Sequence, residues 1–379
     1  MFQSEFDVSK LIRKIKKDGA QEAALAAVDL YVRKRLGTRL FDILVDQNVV
    51  QTISRTDLIL KKPDVTATTQ TPFVIGLDDG YVLSQTGLSL TPEFEIIEET
   101  AAEPEHVDQA MMEMCFRELF YGGLSTWEFM SAVFYSSVPK SIEAINDASP
   151  LIPRYPNYYH WMVETVPRIR YLRAYESAMD RPVTALIPAE APPFVEETLQ
   201  LLSWPSSKIE HATAPIYDVQ NLVVPSYPER TASDFEWIRK DVLHAASDQR
   251  TPSGSGNNVY VSRSNATERR VLNEDAVMDV LSEYGFSKYH LEDRSVQANA
   301  RLFNEANVVV GPHGAGLTDI IFAEDCTLVE LFGEKVKQPY QALADTLGID
   351  YRPMFCMPDS ADIVVDTDEL ESTISRQIP

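Results

Sequence analysis

The stretch Val308 to Phe322, read Val-Val-Val-Gly-Pro-His-Gly-Ala-Gly-Leu-Thr-Asp-Ile-Ile-Phe, constrains the fold of this chain more than any other. Three β-branched apolar residues in a row predict the end of a strand buried on both faces, the environment of a parallel sheet. Gly311, Gly314 and Gly316 then remove side chains where the chain turns toward a helix, so something close-fitting is expected on that turn. In open α/β sheets, ligands bind beyond the carboxyl ends of the strands. Backbone N–H groups at a glycine turn that opens a helix suit a phosphate, and His313 adds a hydrogen-bonding or cationic arm. The alternative is that the glycines only punctuate the turn.

A chain of 379 residues exceeds one ordinary domain, which predicts two α/β domains. Hydrophobic residues at 44% and charged residues at 24% are globular values, and no apolar run reaches the roughly 18 residues of a membrane span. Met1 to Asp7 lack a basic start followed by an apolar core, so a cytoplasmic location is expected. Cys115, Cys326 and Cys356 are odd in number and far apart, which argues against a disulfide framework and a zinc cluster. A net charge of −23 argues against nucleic acid as a partner. Acidic residues spread along the whole chain fit a surface adapted to high salt, and a halophilic prokaryote is the expected source.

The first 62 residues invert that balance, with 12 Lys and Arg against 8 Asp and Glu. Val8, Leu11, Ile12 and Ile15 share one helical face while Lys10, Arg13, Lys14, Lys16 and Lys17 flank it. Arg33, Lys34, Arg35 and Arg39 form a second basic group. The layout fits either a helix lying on an anionic membrane or one packed on the protein's own surface.

Short apolar runs between turn signals make Asn48 to Leu90 strand-rich, and helix returns near Val107 to Phe120. From Asn157 onward helix and strand alternate. Helices are expected at Tyr159–Ala178, Pro193–Leu202 and Asp234–Ala246, with strands at Val183–Ile187 and Asn221–Val224. Thr251 to Asn258, rich in Ser, Gly and Asn, reads as a linker. Beyond it the strands Val259–Ser262, Asn307–Val310 and Thr327–Leu331 alternate with helices at Glu274–Tyr284, Val296–Ala306 and Pro339–Leu347. The expected organisation is a helical extension over 1–47, an α/β domain over 48–250, a linker over 251–258 and a Rossmann-like domain over 259–379. Two such domains imply a cleft, the usual place for a two-substrate site.

Four residue groups carry candidate chemistry. In Asn157-Tyr-Tyr-His160-Trp161-Met-Val-Glu164, leading to Arg168, the His/Glu spacing of four places both on one helical face. A carboxylate beside an imidazole fixes its tautomer and makes the pair a candidate general base, although such pairs are also structural. Ser262-Arg263, Arg269, Arg270, Asn273 and Glu274 follow a strand; arginines clustered in so acidic a chain need an anion, either phosphate or a surface carboxylate. The His313 turn is the third group. Glu330, at the end of Thr327–Leu331, is the fourth, either a hydroxyl acceptor for a ribose or simply solvated.

Taken in order, Asn157, His160, Glu164, Ser262-Arg263, Arg270, Asn273, Glu274, Gln297, Gly311, His313-Gly-Ala-Gly-Leu317, Phe322 and Glu330 resemble glycosyltransferase family 61, which includes plant xylan glycosyltransferases and animal O-linked GlcNAc-type transferases. The resemblance covers Asn157 to Leu331 and hardly touches the first 150 residues. It implies an α/β, GT-B-like fold of two facing Rossmann-like domains with a cleft between them. It also implies an inverting mechanism, a nucleotide-sugar donor held by the C-terminal domain, and no required metal or other cofactor. On this reading Arg263, Arg270 and Asn273 lie on the donor side, with His313, Gly314, Ala315 and Gly316 assisting the diphosphate and Glu330 meeting the ribose. His160 or Glu164 would be the base, and Asn157, Trp161 and Arg168 would stand on the acceptor side. The acceptor would be a glycan or lipid-linked glycan, with the enzyme peripheral on the inner face of the cell membrane. Two positions depart from the family: Asp319 stands where many relatives have asparagine, and Trp161 where plant members have aspartate.

A metal-dependent glycosyltransferase of the other common fold would need Asp-x-Asp, and Asp366-Thr-Asp368 has that form. Glu369 three residues after Asp366 makes it read instead as a helix N-cap. Gly311-Pro-His-Gly-Ala-Gly lacks the dinucleotide-binding spacing. Asn265-Ala-Thr267 has the form of a glycosylation acceptor, which a cytoplasmic chain would not use. From a different class, a catalytically silent sugar-nucleotide or glycan-binding scaffold would retain the arginines but not need both His160 and Glu164.

Overall fold

The computed structural model describes residues 52–53, 66–67, 73–84, 86–92, 96–97, 100, 142–153, 155–245 and 258–376. The expected helices at 8–17 and 107–120, the basic group at 33–39 and residues 251–257 of the expected linker lie outside them. By contacts the chain divides into two units, the first comprising Met1–Asp64, Asp79–Ile145 and Ala214–Gln220, the second Val65–Asp78, Asn146–Thr213 and Asn221–Pro379. Elements on both sides of residues 251–257 therefore belong to the second unit.

In the first unit, Tyr81–Leu83 pairs antiparallel with Ser89–Leu90 and with the start of Ile216–Pro225. Thr52–Ile53 runs parallel to Ile96–Ile97. Leu83, Leu88 and Leu90 are buried there, as the strand-rich reading of this region requires.

Two larger sheets lie mostly in the second unit. The first contains β1 (Val74–Asp78), β2 (Ile142–Pro150), β3 (Thr184–Pro188), β4 (Ile209–Ala212) and β5 (Ile216–Pro225), in the spatial order β1, β5, β2, β3, β4. Strands β2, β3 and β4 are mutually parallel, whereas β1 runs antiparallel to β5. Helices α1 (Arg168–Met179), α2 (Pro193–Leu201) and α3 (Ala232–Ala245) accompany them. The boundaries of α2 and α3 fall within two residues of those expected. Strands β2 and β4 carry too many polar residues to be read in advance.

The second sheet is β6 (Asn258–Val261), β7 (Phe286–Tyr289), β8 (Val308–Pro312), β9 (Thr327–Phe332) and β10 (Asp350–Phe355), ordered β7, β6, β8, β9, β10 and parallel throughout. This is a Rossmann-like arrangement in which the chain leaves β6 in one direction for β7 and returns on the other side to β8. The point where strand order reverses lies between β6 and β8, where such sheets bind ligands. Helices α4 (Glu274–Glu283), α5 (Val296–Asn304), α6 (Pro339–Leu347) and α7 (Thr367–Ile374) complete it, with a small antiparallel pair, β11 (Met357–Asp359) and β12 (Asp362–Val364). Val308, Val309 and Val310 are buried, as a strand covered on both faces requires. One core cluster joins Trp161, Val163 and Ile169 of the first group of elements to Phe303, Ile320 and Phe322 of the second. At about 25 cal/mol per Å² of apolar surface, that shared burial fixes the relative placement of both groups.

Asp366 caps α7, its side chain accepting from the N–H groups of Asp368 and Glu369. The Asp-x-Asp form at that position is thus a helix start. No helix among the described residues is long and apolar enough to cross a membrane. Cys326 and Cys356 are buried free thiols.

Candidate functional site

The expected helix over Tyr159–Ala178 is broken at the place that matters. One turn of α-helix, Tyr158–His160, passes into a π-helical turn, Trp161–Thr165, before α1 begins. The Val166 N–H reaches back five residues to the Trp161 carbonyl. Such bulges cost regular hydrogen bonding and recur where a side chain must be re-aimed. Asn157 starts the turn, its side chain accepting from the His160 N–H at 3.2 Å. His160 Nδ1 lies 2.8 Å from Glu164 Oε2. Glu164 is buried, and its other oxygen accepts from Arg230 at 2.9 Å. Arg230 occupies the left-handed region, φ 59°, a conformation that a non-glycine residue holds only where its surroundings fix it. A carboxylate that accepts from the Nδ1–H leaves Nε2 of a neutral imidazole with its lone pair free. The His160 side chain keeps 22% of its surface, enough for that nitrogen to meet a substrate.

Around the glycine turn, Arg263 leaves β6 and lies over Gly314. A Cβ at Gly314 would stand 2.2 Å from the Arg263 guanidinium, so glycine there makes room for the arginine. The close-fitting partner expected on this turn is, in the first instance, Arg263 itself. One Arg263 nitrogen donates to the Glu268 carbonyl at 3.2 Å, while its Nε is buried without a partner among the described residues. Burial, and then the neighbouring Arg269, push the Arg263 pKa below its ordinary value. Two guanidiniums that repel one another beside a turn of free backbone amides form a locus for an anion.

Arg270 and Asn273 do not join that locus. The Arg270 side chain is held by Asp362 at 2.6 and 3.1 Å, and its backbone N–H by the same carboxylate at 2.9 Å. Asn273 spends its side chain on both backbone groups of Val365. Both residues fasten β12 to the start of α4, which corrects their expected donor contact. Arg269, also at positive φ, is the one that stands by Arg263. Neighbouring Ser262 donates to Glu274 at 2.6 Å, and Glu274 also takes Lys288.

Glu330 is fully buried between His313 Nδ1, at 2.5 Å, and the Tyr351 hydroxyl, at 2.6 Å. Both its oxygens are engaged, so it orients His313 and has no face for a ribose, contrary to expectation. His313 stacks on Phe332, 5.6 Å between ring centres, and tilts against Tyr340 at 5.3 Å. Tyr340 in turn meets Tyr159 edge-on at 5.8 Å, and Tyr159 meets His160 at 5.3 Å. Through these rings the two histidines belong to one packed assembly.

Two residues expected on the acceptor side are interior. Trp161 is wholly buried, and Arg168, also buried, donates to the Pro225 carbonyl and lies over the Tyr227 ring. Burial lowers the pKa of Arg168. Neither presents a surface to a substrate; both brace the turn that holds His160.

A cavity of about 480 Å³ opens at the reversal point of the second sheet. Arg263, Gly314, Ala315 and Gly316 line one part of it, and Tyr158, Phe194 and Glu197 another. Asp319, on the 3₁₀ helix Ala315–Phe322, lies in its wall. Its Oδ1 accepts from the Tyr158 hydroxyl at 2.5 Å, and its Oδ2 is buried without a partner among the described residues. Desolvation, opposed by the Tyr158 bond and assisted by Glu197, pushes its pKa up to about 7. The sequence marks Asp319 only as a departure from the family and Arg269 only as one of an arginine cluster, and it does not single out Tyr158, Arg230 or Tyr340. The single advance sign was the accumulation of tyrosines beside His160.

A family model described as Glycosyltransferase 61 matches residues 158–329, from Tyr158 at the cavity wall to the strand that carries Glu330. No curated protein matches the chain. The matched stretch contains His160, Glu164, Arg263, the His313 turn and Asp319, so residues 158–329 match glycosyltransferase family 61, which supports a glycosyltransferase function.

Proposed function

We propose that this chain is an inverting, metal-independent glycosyltransferase that moves a sugar from a nucleotide-sugar donor to a hydroxyl of a glycan or lipid-linked glycan. In this reading the elements of 48–250 and 259–379 act as the two halves of a GT-B enzyme. The observation that carries it is Arg263, part-buried over Gly314 beside the cavity, with Arg269 adding a second positive charge. The donor diphosphate lies against Arg263 and the amides of Gly314, Ala315 and Gly316, next to His313, which Glu330 holds in place.

His160 is the base. Its Nε2 takes the proton of the acceptor hydroxyl as that oxygen attacks the anomeric carbon from the face opposite the leaving group. The bond from that carbon to the diphosphate oxygen breaks, and the electron pair leaves with the diphosphate. Guanidinium and backbone N–H groups stabilise the growing negative charge, the part a divalent cation plays elsewhere. Glu164, held by Arg230, fixes the His160 ring and balances the imidazolium that forms. The cytoplasmic face of a membrane, approached through the basic residues of the N-terminal segment, is the proposed workplace.

The test is release of nucleoside diphosphate from a panel of nucleotide sugars, with and without EDTA. Turnover that survives EDTA and disappears in His160→Ala supports the reading. A strict need for Mg²⁺ or Mn²⁺ would overturn the metal-independent part, and full activity in His160→Ala the base.

A further inference from the structure

The cavity has an acidic wall as well as a basic one. Asp319 is 1% exposed and sits on the helix whose start is the Gly314 turn. It faces the same cavity as Glu197 and Arg263, with one carboxyl oxygen committed to Tyr158 and the other unpartnered. An ionised Asp319 would confront any anion placed on that turn, and like charges repel. A carboxyl that holds a proton removes the repulsion and keeps the Tyr158 contact.

We propose that the donor binds to the form of the cavity in which Asp319 is a neutral carboxylic acid, so that a diphosphate donor enters together with one proton from solvent. This rests on the reading of the cavity as a nucleotide-sugar site. The neighbours of Asp319 support it. The turn Tyr158–His160 supplies the Tyr158 hydroxyl and α2 supplies Glu197, and these two act on the carboxyl. Among the other elements packed on its helix, α3 brings Arg239, which is engaged with the Ala323 carbonyl and Glu324, α5 brings Arg301, and α6 brings Tyr340. Across the cavity stand Arg263, Arg294 and Glu292.

The carboxyl is neutral below about pH 7 and ionised above it. A bound anion favours the neutral form, and by reciprocity the proton favours the anion. Affinity is therefore flat on the acid side and falls by up to about tenfold per pH unit on the alkaline side.

The experiment is isothermal titration with UDP-glucose, UDP-N-acetylglucosamine, GDP-mannose and dTDP-glucose between pH 5.5 and 8.5, in pairs of buffers of different ionisation heat. Both phosphates of these probes are diesters and hold no titrating proton in that range. The tightest probe should bind wild type with proton uptake near pH 7 and roughly tenfold more weakly at pH 8 than on the acid plateau. Asp319→Asn, which is isosteric and can still accept from Tyr158, should bind at the plateau affinity across the range, without that uptake. Glu197→Gln removes the charge that favours the neutral carboxyl and should move the midpoint to lower pH. An unchanged pH dependence in Asp319→Asn together with an unmoved midpoint in Glu197→Gln would overturn the proposal. Failure of every probe to bind folded wild type at any pH would instead overturn the donor-site reading, and the proposal with it.

Discussion

Two of the histidine–glutamate pairs among the described residues are built from different materials. His160 and Glu164 are four residues apart in one distorted helix, whereas His313 and Glu330 are brought together by neighbouring strands, Gly311 pairing with Glu330 in the ladder. In each the carboxylate holds Nδ1. The first carboxylate is backed by a guanidinium, Arg230, and the second by a phenol, Tyr351. The first imidazole retains 22% of its side-chain surface and the second 10%. A ring that must meet an incoming hydroxyl needs access; a ring that only steadies a bound group is better clamped, as His313 is between Phe332 and Tyr340. On the proposed mechanism, the same two residue types serve proton transfer in one place and positioning in the other.

The largest test of that division is His160→Ala, which should cut turnover by about 10² to 10⁴, the usual worth of a positioned base. Glu164→Gln should fall less, because His160 survives it, and a loss in Glu164→Gln exceeding that in His160→Ala would reverse the two roles. Next in size is the contrast between arginines. Arg263→Ala removes charge-assisted hydrogen bonds of about 1.5–3 kcal/mol each, so nucleotide-sugar affinity should drop roughly 10- to 100-fold. Arg270→Ala should leave affinity and turnover unchanged, since its partner is Asp362; equal losses in the two variants would return Arg270 to the donor site. Smallest is Glu330→Gln, which should weaken donor affinity about tenfold with little change in turnover at saturation, while removing a buried charged acceptor lowers stability by about 1–3 kcal/mol. Denaturant unfolding and initial-rate kinetics separate those two effects.

The glycine turn was legible in the sequence because its requirements are local: three β-branched residues, then residues without side chains. The His160–Glu164 pair was legible for the same reason, since a spacing of four survives even the π-helical distortion that periodicity could not reveal. What stayed hidden depends on partners distant in the chain. Arg269 and Arg270 are adjacent and chemically alike; only the contact of Arg270 with Asp362, 92 residues on, assigns them. Glu330 looked available because nothing local announces Tyr351. Strand β10 was missed because Asp-Tyr-Arg-Pro-Met-Phe lacks an apolar pattern, and its Pro353 is tolerated because the strand lies at a sheet edge. Arg168 and Trp161 were misjudged for a related reason: polarity and hydrogen-bonding capacity suggest a surface role, yet the Pro225 carbonyl and the Tyr227 ring provide for Arg168 internally.

The central claim is that donor holding and proton transfer reside in separate groups of one unit, and calorimetry combined with turnover tests it most directly. Wild type, His160→Ala and Arg263→Ala would each be titrated with the tightest nucleotide sugar and assayed for release of nucleoside diphosphate. The account predicts that His160→Ala binds the donor within about twofold of wild type while turnover collapses, and that Arg263→Ala loses the donor itself. A His160→Ala protein that loses donor affinity as severely as Arg263→Ala, or that keeps its turnover, would contradict it.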